Sequence, residues 1–374
     1  MTFICNTNLI IDNFNTKGVA GVIDYVYVLT HFHSDHRPGL DKSFRGRLIC
    51  SPTTAELVCA VLNVNPAFVE ELAIGKELEI SMREGACISR YSITFIDANH
   101  CPGSVSVIVK GLEDRGFLYY YMADSRVNSN VIADAVTVCK SQCDIAWVDS
   151  TFWDNRWNSM PTKDESVESL MYFVRLHADF GFALELELLG TEIFIHAILA
   201  EYPRERILVM GNERWNELEI LFSGDMSRFE LYHENATFIN RFVIQQRRFE
   251  TPVGYYRVRA TTQRWFNHVN QGGSCAFLEV VDMNCFVFFS MHSSKKEIDQ
   301  LTNALGAKRI VKSFESIPVE RPLAETPPRS RRARHVRRAF EFSSGSIWLN
   351  TLIDSQETVC PIFQKDEITL PTWE

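Results

Sequence analysis

The chain has 374 residues, 46% of them hydrophobic, which excludes disorder over most of its length and allows one large domain or two ordinary ones. A formal net charge of -9 excludes a protein that coats nucleic acid nonspecifically, while leaving room for a local basic groove. Ten cysteines without a Cys-x-x-Cys pair, a start that lacks secretory features, and no run of roughly 18 uncharged apolar residues predict a soluble intracellular protein with reduced thiols and no membrane span.

In chain order, apolar runs of strand composition recur, and each ends in an acid or a histidine. Leu9-Ile10-Ile11 ends at Asp12. The run 25–29 leads into Thr30-His31-Phe32-His33-Ser34-Asp35-His36, where three imidazoles and a carboxylate fall within six residues. If the preceding run is a strand, His31 and His33 project to the same side. That mixture of donors suits zinc or another divalent first-row ion better than calcium or magnesium. Farther on, Ile93-Thr94-Phe95-Ile96 leads through Asp97-Ala98-Asn99 to His100, the run 117–122 ends at Asp124, the run 144–148 at Asp149, and the run 285–291 at His292. A single acid after a strand is usually a turn former. Six such runs in one sandwich predict side chains converging on one rim, where open α/β sheets place their sites.

Helices fall between the runs. Ser51-Pro52-Thr53-Thr54 opens one with a cap, and 161–180 carries Val167, Leu170, Met171, Val174 and Ala178 on one apolar face. Residues 156–283 alternate strands and helices without ligand clusters, which predicts an inserted second domain. The predicted organisation is a core over 1–155, the insert over 156–283, the rest of the core over 284–320, and a basic tail over 321–374 centred on Arg329-Ser330-Arg331-Arg332. A basic run of this kind reads equally as a solvated tail, a nuclear import signal or a phosphate-binding arm.

The ordered strings His31-x-His33-x-Asp35-His36, Asp97-Ala98-Asn99-His100-Cys101-Pro102-Gly103-Ser104, Asp124-Ser125-Arg126, Asp149-Ser150-Thr151 and His292-Ser293-Ser294 resemble those of the metallo-β-lactamase fold. More narrowly they resemble its β-CASP branch of DNA cross-link repair nucleases. The resemblance implies an α/β protein, an αββα sandwich with an inserted β-CASP domain. It implies one or two divalent metal ions, zinc foremost: a first held by His31, His33 and His100, a second by Asp35, His36 and His292, with Asp124 bridging. Asp35, Asp149 and Asp12 would serve the chemistry, the last two by accepting the outer N–H of ligand imidazoles. Ser293, Ser294 and Arg126 would meet a terminal phosphate. The implied activity is 5′-to-3′ exonuclease action on 5′-phosphorylated DNA in cross-link repair or telomere processing. Single-stranded DNA or DNA ends would be the substrate, repair or telomere proteins the partners, and the nucleus the location.

In RNA-processing members a further histidine follows the His292-type motif; the stretch 309–314 has none, which favours DNA. The alternatives are an RNA nuclease of the same fold and a weakly active scaffold that binds DNA ends. Two departures stand out. Ala123-Asp124-Ser125-Arg126 replaces the usual Gly-Asp-Phe-Arg, and Gly190-Thr191-Glu192 replaces Gly-Lys-Glu, losing a cation. The best basic candidates in the insert are Arg247-Arg248 and the arginines of 257–264.

Overall fold

The computed structural model describes residues 2–4, 7–15, 25–84, 87–113, 116–185, 189–232, 240–245, 249–270 and 278–312. The tail 321–374, Arg247-Arg248, and Ser313 and Phe314 lie outside them.

Strands β1 (Thr2–Phe3), β2 (Leu9–Ile11), β3 (Val26–Val28), β4 (Arg47–Cys50) and β5 (Val69–Glu71) form a first sheet in that order, parallel from β2 onward. β2 and β3 are buried at every residue, as parallel strands covered on both faces must be. A second sheet starts as an antiparallel meander of β6 (Glu77–Glu84), β7 (Cys87–Asp97), β8 (Val105–Gly111) and β9 (Leu118–Tyr121), to which β10 (Ile145–Val148) adds in parallel.

The two sheets bury one core between them, with Leu9, Ile11, Val28 and Ile49 of the first against Ile93, Phe95, Val107 and Tyr121 of the second. Helix α1 (Pro52–Leu62) covers the outer face of the first sheet through Leu57 and Val58. Its start follows the sequence: Ser51 accepts from the Thr54 N–H and Pro52 occupies the first turn, where its missing N–H costs nothing. Helix α2 (Ser129–Cys139) covers the second sheet through Val131, Ala135 and Cys139. The architecture is the αββα sandwich that the motifs imply.

Helix α3 (Lys163–Leu176) begins at a Thr162/Glu165 capping box and turns Leu170, Met171 and Val174 inward. It leads to a third sheet of β11 (Gly181–Glu185), β12 (Ile207–Val209), β13 (Phe229–Leu231), β14 (Phe242–Gln245), β15 (Tyr255–Thr261), β16 (Leu278–Val281) and β17 (Asn284–Phe288). The spatial order is β13-β12-β14-β11-β15-β17-β16, parallel except for β16. Helices α4 (Glu192–Glu201) and α5 (Asn212–Leu221) pack with α3 on one face of it, through Phe194, Ile195, Ile198 and Leu218; α6 (Gln263–Asn270) packs on the other, through Trp265 against Phe288. Helix α7 (Lys295–Ala304) then returns to the outer face of the second sheet, and β18 (Arg309–Lys312) pairs with β10 as its edge strand.

Here the structure corrects the expectation that six site-bearing strands share one sandwich. Five do, but β17 pairs with β15 and β16 of the third sheet, because its Cys285 and Val287, with Phe289 just after it, complete the core under α3 and α4. His292 therefore reaches the rim from the third sheet.

Candidate metal centre

The rim residues are placed by turns in which each polar group is used. Asp12 follows β2 at φ 53° and folds back, accepting from the Thr30 N–H at 2.8 Å, the Thr30 hydroxyl at 2.7 Å and the His36 Nδ1–H at 2.8 Å. The loop 97–104 closes on itself, with Ser104 Oγ accepting from the N–H groups of His100 and Cys101, both at 3.1 Å. Thr30 O accepts from the Val105 N–H at 3.0 Å, which ties the two sheets together beneath the site.

Five imidazoles meet there, and their tautomers follow from their partners. A carbonyl can only accept, so His33 Nε2 donates to Leu189 O at 3.0 Å, and His100 Nδ1 to Met291 O at 2.9 Å. The Thr30 hydroxyl gives its proton to Asp12, so it accepts from His31 Nδ1 at 3.0 Å. His36 Nδ1 donates to Asp12, and His292 Nδ1 to Asp149 at 2.7 Å. Each ring in its neutral form is thus held by one nitrogen from outside, leaving the lone pair of the other turned inward.

The inward atoms surround the carboxylate of Asp124. Its Oδ2 lies 3.2 Å from His36 Nε2, 3.8 Å from His100 Nε2 and 3.9 Å from both His31 Nε2 and His292 Nε2. His100 Nε2 and His33 Nδ1 face each other at 3.0 Å, and the buried His31 Nε2 has no hydrogen-bond partner. An unpaired buried nitrogen costs about 1–3 kcal/mol. Three overlapping groups have ligand atoms close enough to share an ion: His31/His33/His100, His31/His36/Asp124 and His100/Asp124/His292. The orphaned His31 Nε2 and the mutually facing nitrogens of His33 and His100, with a central carboxylate, fit a divalent cation.

Burial, then the neighbouring rings, keeps His31 and His100 well below the ordinary imidazole range. His36 and His292 behave oppositely. Burial opposes their charge, but Asp12 and Asp124 raise His36 to about 11, and Asp149 and Asp124 raise His292 to about 9. A proton on either ring competes with a cation for the same nitrogen.

The structure thus brings together His31, His33, His36, His100, Asp124 and His292. It leaves Asp35 aside: the side chain is 77% exposed on the turn 34–36, its carboxylate 3.8 Å from His36 Nε2 and outside all three groups. Asp12 and Asp149 accept from His36 and His292 behind the cluster. Asp149 also accepts from the Thr151 N–H at 3.0 Å.

The three residues expected to meet a phosphate are engaged in internal hydrogen bonds. Ser293 is buried, donating to Ser125 O at 2.6 Å and accepting from the Val127 N–H at 2.9 Å. Ser294 caps α7 by accepting from the Glu297 N–H, while its own N–H meets the Glu297 carboxylate. Arg126 is buried too, donating to Pro161 O at 2.9 Å, Ser290 O at 3.2 Å and His292 O at 3.4 Å and pairing with Glu297. These groups build the turn that presents His292. Arg126→Met is expected to strand the partly buried Glu297 and the turn carbonyls, lowering stability by about 3–5 kcal/mol in a denaturant titration. A loss below 1 kcal/mol would show that the guanidinium is dispensable to the fold.

Both sequence departures have local explanations. Ala123 sits at φ 55°, where a non-glycine residue costs about 1–2 kcal/mol, partly offset by burying its methyl in the sandwich core. Ser125 satisfies its hydroxyl on Ala98 O at 2.8 Å. Thr191 is buried, and cations approach its turn from elsewhere: Arg214 pairs with Glu192 at 3.4 Å, and Lys163 Nζ donates to Asn99 O at 2.6 Å and His100 O at 3.0 Å. Burial lowers Lys163 to about 8. Its role was invisible in the sequence, where it reads only as the first residue of a capped helix.

No family model matches the chain. Among curated proteins it is 31% identical over 232 residues to DNA ligase 6 of Arabidopsis thaliana, covering 60% of this chain and 16% of that one. It is 25% identical over 205 residues to 5′ exonuclease Apollo of Rattus norvegicus, covering 55% and 37%. It is 30% identical over 155 residues to DNA cross-link repair protein SNM1 of Arabidopsis thaliana, covering 41% and 29%. The chain is thus similar, at modest identity over about half its length, to DNA cross-link repair nucleases, and its architecture is consistent with a metallo-β-lactamase/β-CASP fold. It spans less than two fifths of the length of each of these relatives. A solved structure, a protein of unknown function from Enterococcus faecalis V583, shares the fold at a TM-score of 0.51, 13% identity, and coverage of 77% and 75%.

Proposed function

We propose that this protein is a metal-dependent phosphodiesterase of DNA, a 5′-to-3′ exonuclease on 5′-phosphorylated strands. It would work in the nucleus, in cross-link repair or at telomere ends, with repair or telomere proteins as partners. The observation that carries this reading is the set of five imidazoles with outward nitrogens pinned, four of whose inward nitrogens lie 3.2–3.9 Å from Asp124 Oδ2 while the fifth, His33 Nδ1, faces His100 Nε2. The names of the relatives, 5′ exonuclease Apollo and DNA cross-link repair protein SNM1, supply the substrate class.

His31, His33 and His100 would hold one ion, and His36, His292 and Asp124 a second, with Asp124 placed to serve both. Bound divalent ions, zinc foremost, bring a bound water toward neutral pKa and neutralise charge on the phosphoryl oxygens. The chain's own work is orientation. Asp12 and Asp149 keep protons on the outer nitrogens of His36 and His292, so that the inner nitrogens remain ligands. Leu189 O and Met291 O do the same for His33 and His100, so the inserted domain completes the site it overhangs.

The test is cleavage of a 5′-phosphorylated single-stranded DNA with RNA of equal length as competitor, before and after exhaustive chelation. Nucleotides released from the 5′ end, lost on chelation and restored by zinc, are the expected result. Cleavage that survives metal removal overturns the mechanism, and preference for the RNA overturns the substrate.

A further inference from the structure

On the other face of the third sheet, away from α3 and α4, stands a charged group that the metal centre does not use. Glu185 ends β11 with its side chain 1% exposed, between Arg257 and Arg259 of β15, whose side chains are 24% and 29% exposed. Its carboxylate accepts from Arg259 Nε at 2.5 Å and lies 2.9 Å from Arg257 Nε. Arg257 is further fixed by Thr251 Oγ1 at 2.8 Å and Phe249 O at 3.0 Å. One buried carboxylate against two guanidiniums leaves a net positive charge; Arg257 keeps only Nη1 without a hydrogen bond among the described residues, whereas Arg259, held through Nε alone, keeps both terminal nitrogens. At the end of β14, paired in register with Glu185, the buried Gln245 has an Oε1 with no hydrogen-bond partner.

The location is the kind of place where parallel sheets bind ligands. After β11 the chain leaves to α4 on the face of Leu184 and Val258; after the adjacent β15 it leaves to α6 on the face of Phe288. Neighbouring parallel strands whose connections part to opposite faces open a crevice at their carboxyl ends. Glu185 is four residues before Leu189, whose carbonyl holds His33, so their backbones are at most about 14 Å apart. β17, parallel to β15, delivers His292 to the same rim.

We propose that Arg257 and Arg259, stiffened by Glu185, form a second phosphate site at this switch point. It grips the backbone of the DNA strand a few nucleotides from the bond at the metal centre. The arginine fork matches phosphate oxygens, and pre-paying its ordering through a buried carboxylate is what separates a built site from a solvated charge. The inference rests on the nuclease reading above and names where the strand is held.

The test uses the full chain, loaded with zinc, and a fluorescent 5′-phosphorylated dT20, with binding titrated at several salt concentrations. The variants are Arg259→Gln and the double variant Glu185→Gln/Arg259→Gln, which removes the ion pair without stranding a buried carboxylate. Thermal unfolding and bound zinc check that each is folded. Affinity should fall by about tenfold, and the slope of log K against log salt should shrink by about 0.7 for the lost single-strand phosphate contact. A folded variant with unchanged affinity and slope overturns the proposal and makes the cluster a structural ion pair only, while the nuclease reading survives through wild-type binding and cleavage. A wild-type chain that neither binds nor cuts dT20 sinks both.

Discussion

Asp124→Asn is expected to lose stoichiometric metal and to slow phosphodiester hydrolysis by about two to three powers of ten. The carboxylate oxygen stands 3.2–3.9 Å from four inward ring nitrogens, and it is the one anion common to two of the three ligand groups. Removing one member of such a charge group costs about 3–5 kcal/mol, and each 1.36 kcal/mol of lost transition-state stabilisation is a factor of ten. The amide keeps the volume, so the fold should persist. Metal content by atomic emission, read beside single-turnover cleavage, separates a lost ion from a lost fold. Full metal loading with undiminished cleavage would remove Asp124 from the centre of the mechanism.

Gly190→Ala, a methyl group in a turn that holds no metal ligand, is expected to weaken metal binding by about 10–100-fold. Gly190 has φ 105°, and a Cβ there would come within 2.2 Å of Met291 Sδ and 2.9 Å of His100 O. The thioether can swing aside, but the carbonyl and the left-handed backbone cannot both be accommodated. Relief must move the 189–190 turn or the loop carrying His100. Either shift pulls Leu189 O from His33 or misplaces His100, whose own outer nitrogen depends on Met291 O. Zinc titration against a chelating dye reads the effect directly. Wild-type zinc affinity in a folded variant would mean that the insert merely neighbours the site. Unlike Asp124→Asn, this change should also lower the unfolding temperature, since strain at such positions costs about 1–3 kcal/mol.

The two substitutions mark where sequence reading succeeds. His31, His33 and His36 were legible because strand pleating and a following turn force neighbours in sequence to be neighbours in space. His100 and Asp124 were legible because each follows an apolar run whose length and composition announce a strand. Asp35 shares the motif, yet its side chain is 77% exposed on the turn with its carboxylate 3.8 Å from His36 Nε2, and residue spacing carries no information on which way a turn side chain faces. Ser293, Ser294 and Arg126 have duties that spacing does not show. Polar residues beside a site look like binding groups until the backbone atoms that need them are counted, and here Ser125 O, the Val127 N–H, the first turn of α7 and the carbonyls of 161, 290 and 292 claim them first.

By itself the sequence determined the kinds of side chain that gather at the rim, the order of the site-bearing strands and the sandwich that carries five of them, because those depend on local periodicity and on chemistry confined to a few residues. Only the tertiary structure decided that β17 belongs to the third sheet, that Leu189 O and Met291 O set the tautomers of His33 and His100, and that Lys163 donates to His100 O. Each of these is a pairing between atoms 63 to 191 residues apart in the chain, or a choice of strand partner. Such pairings are settled by which buried surfaces and unsatisfied groups meet when the elements pack, and no spacing along the chain encodes them.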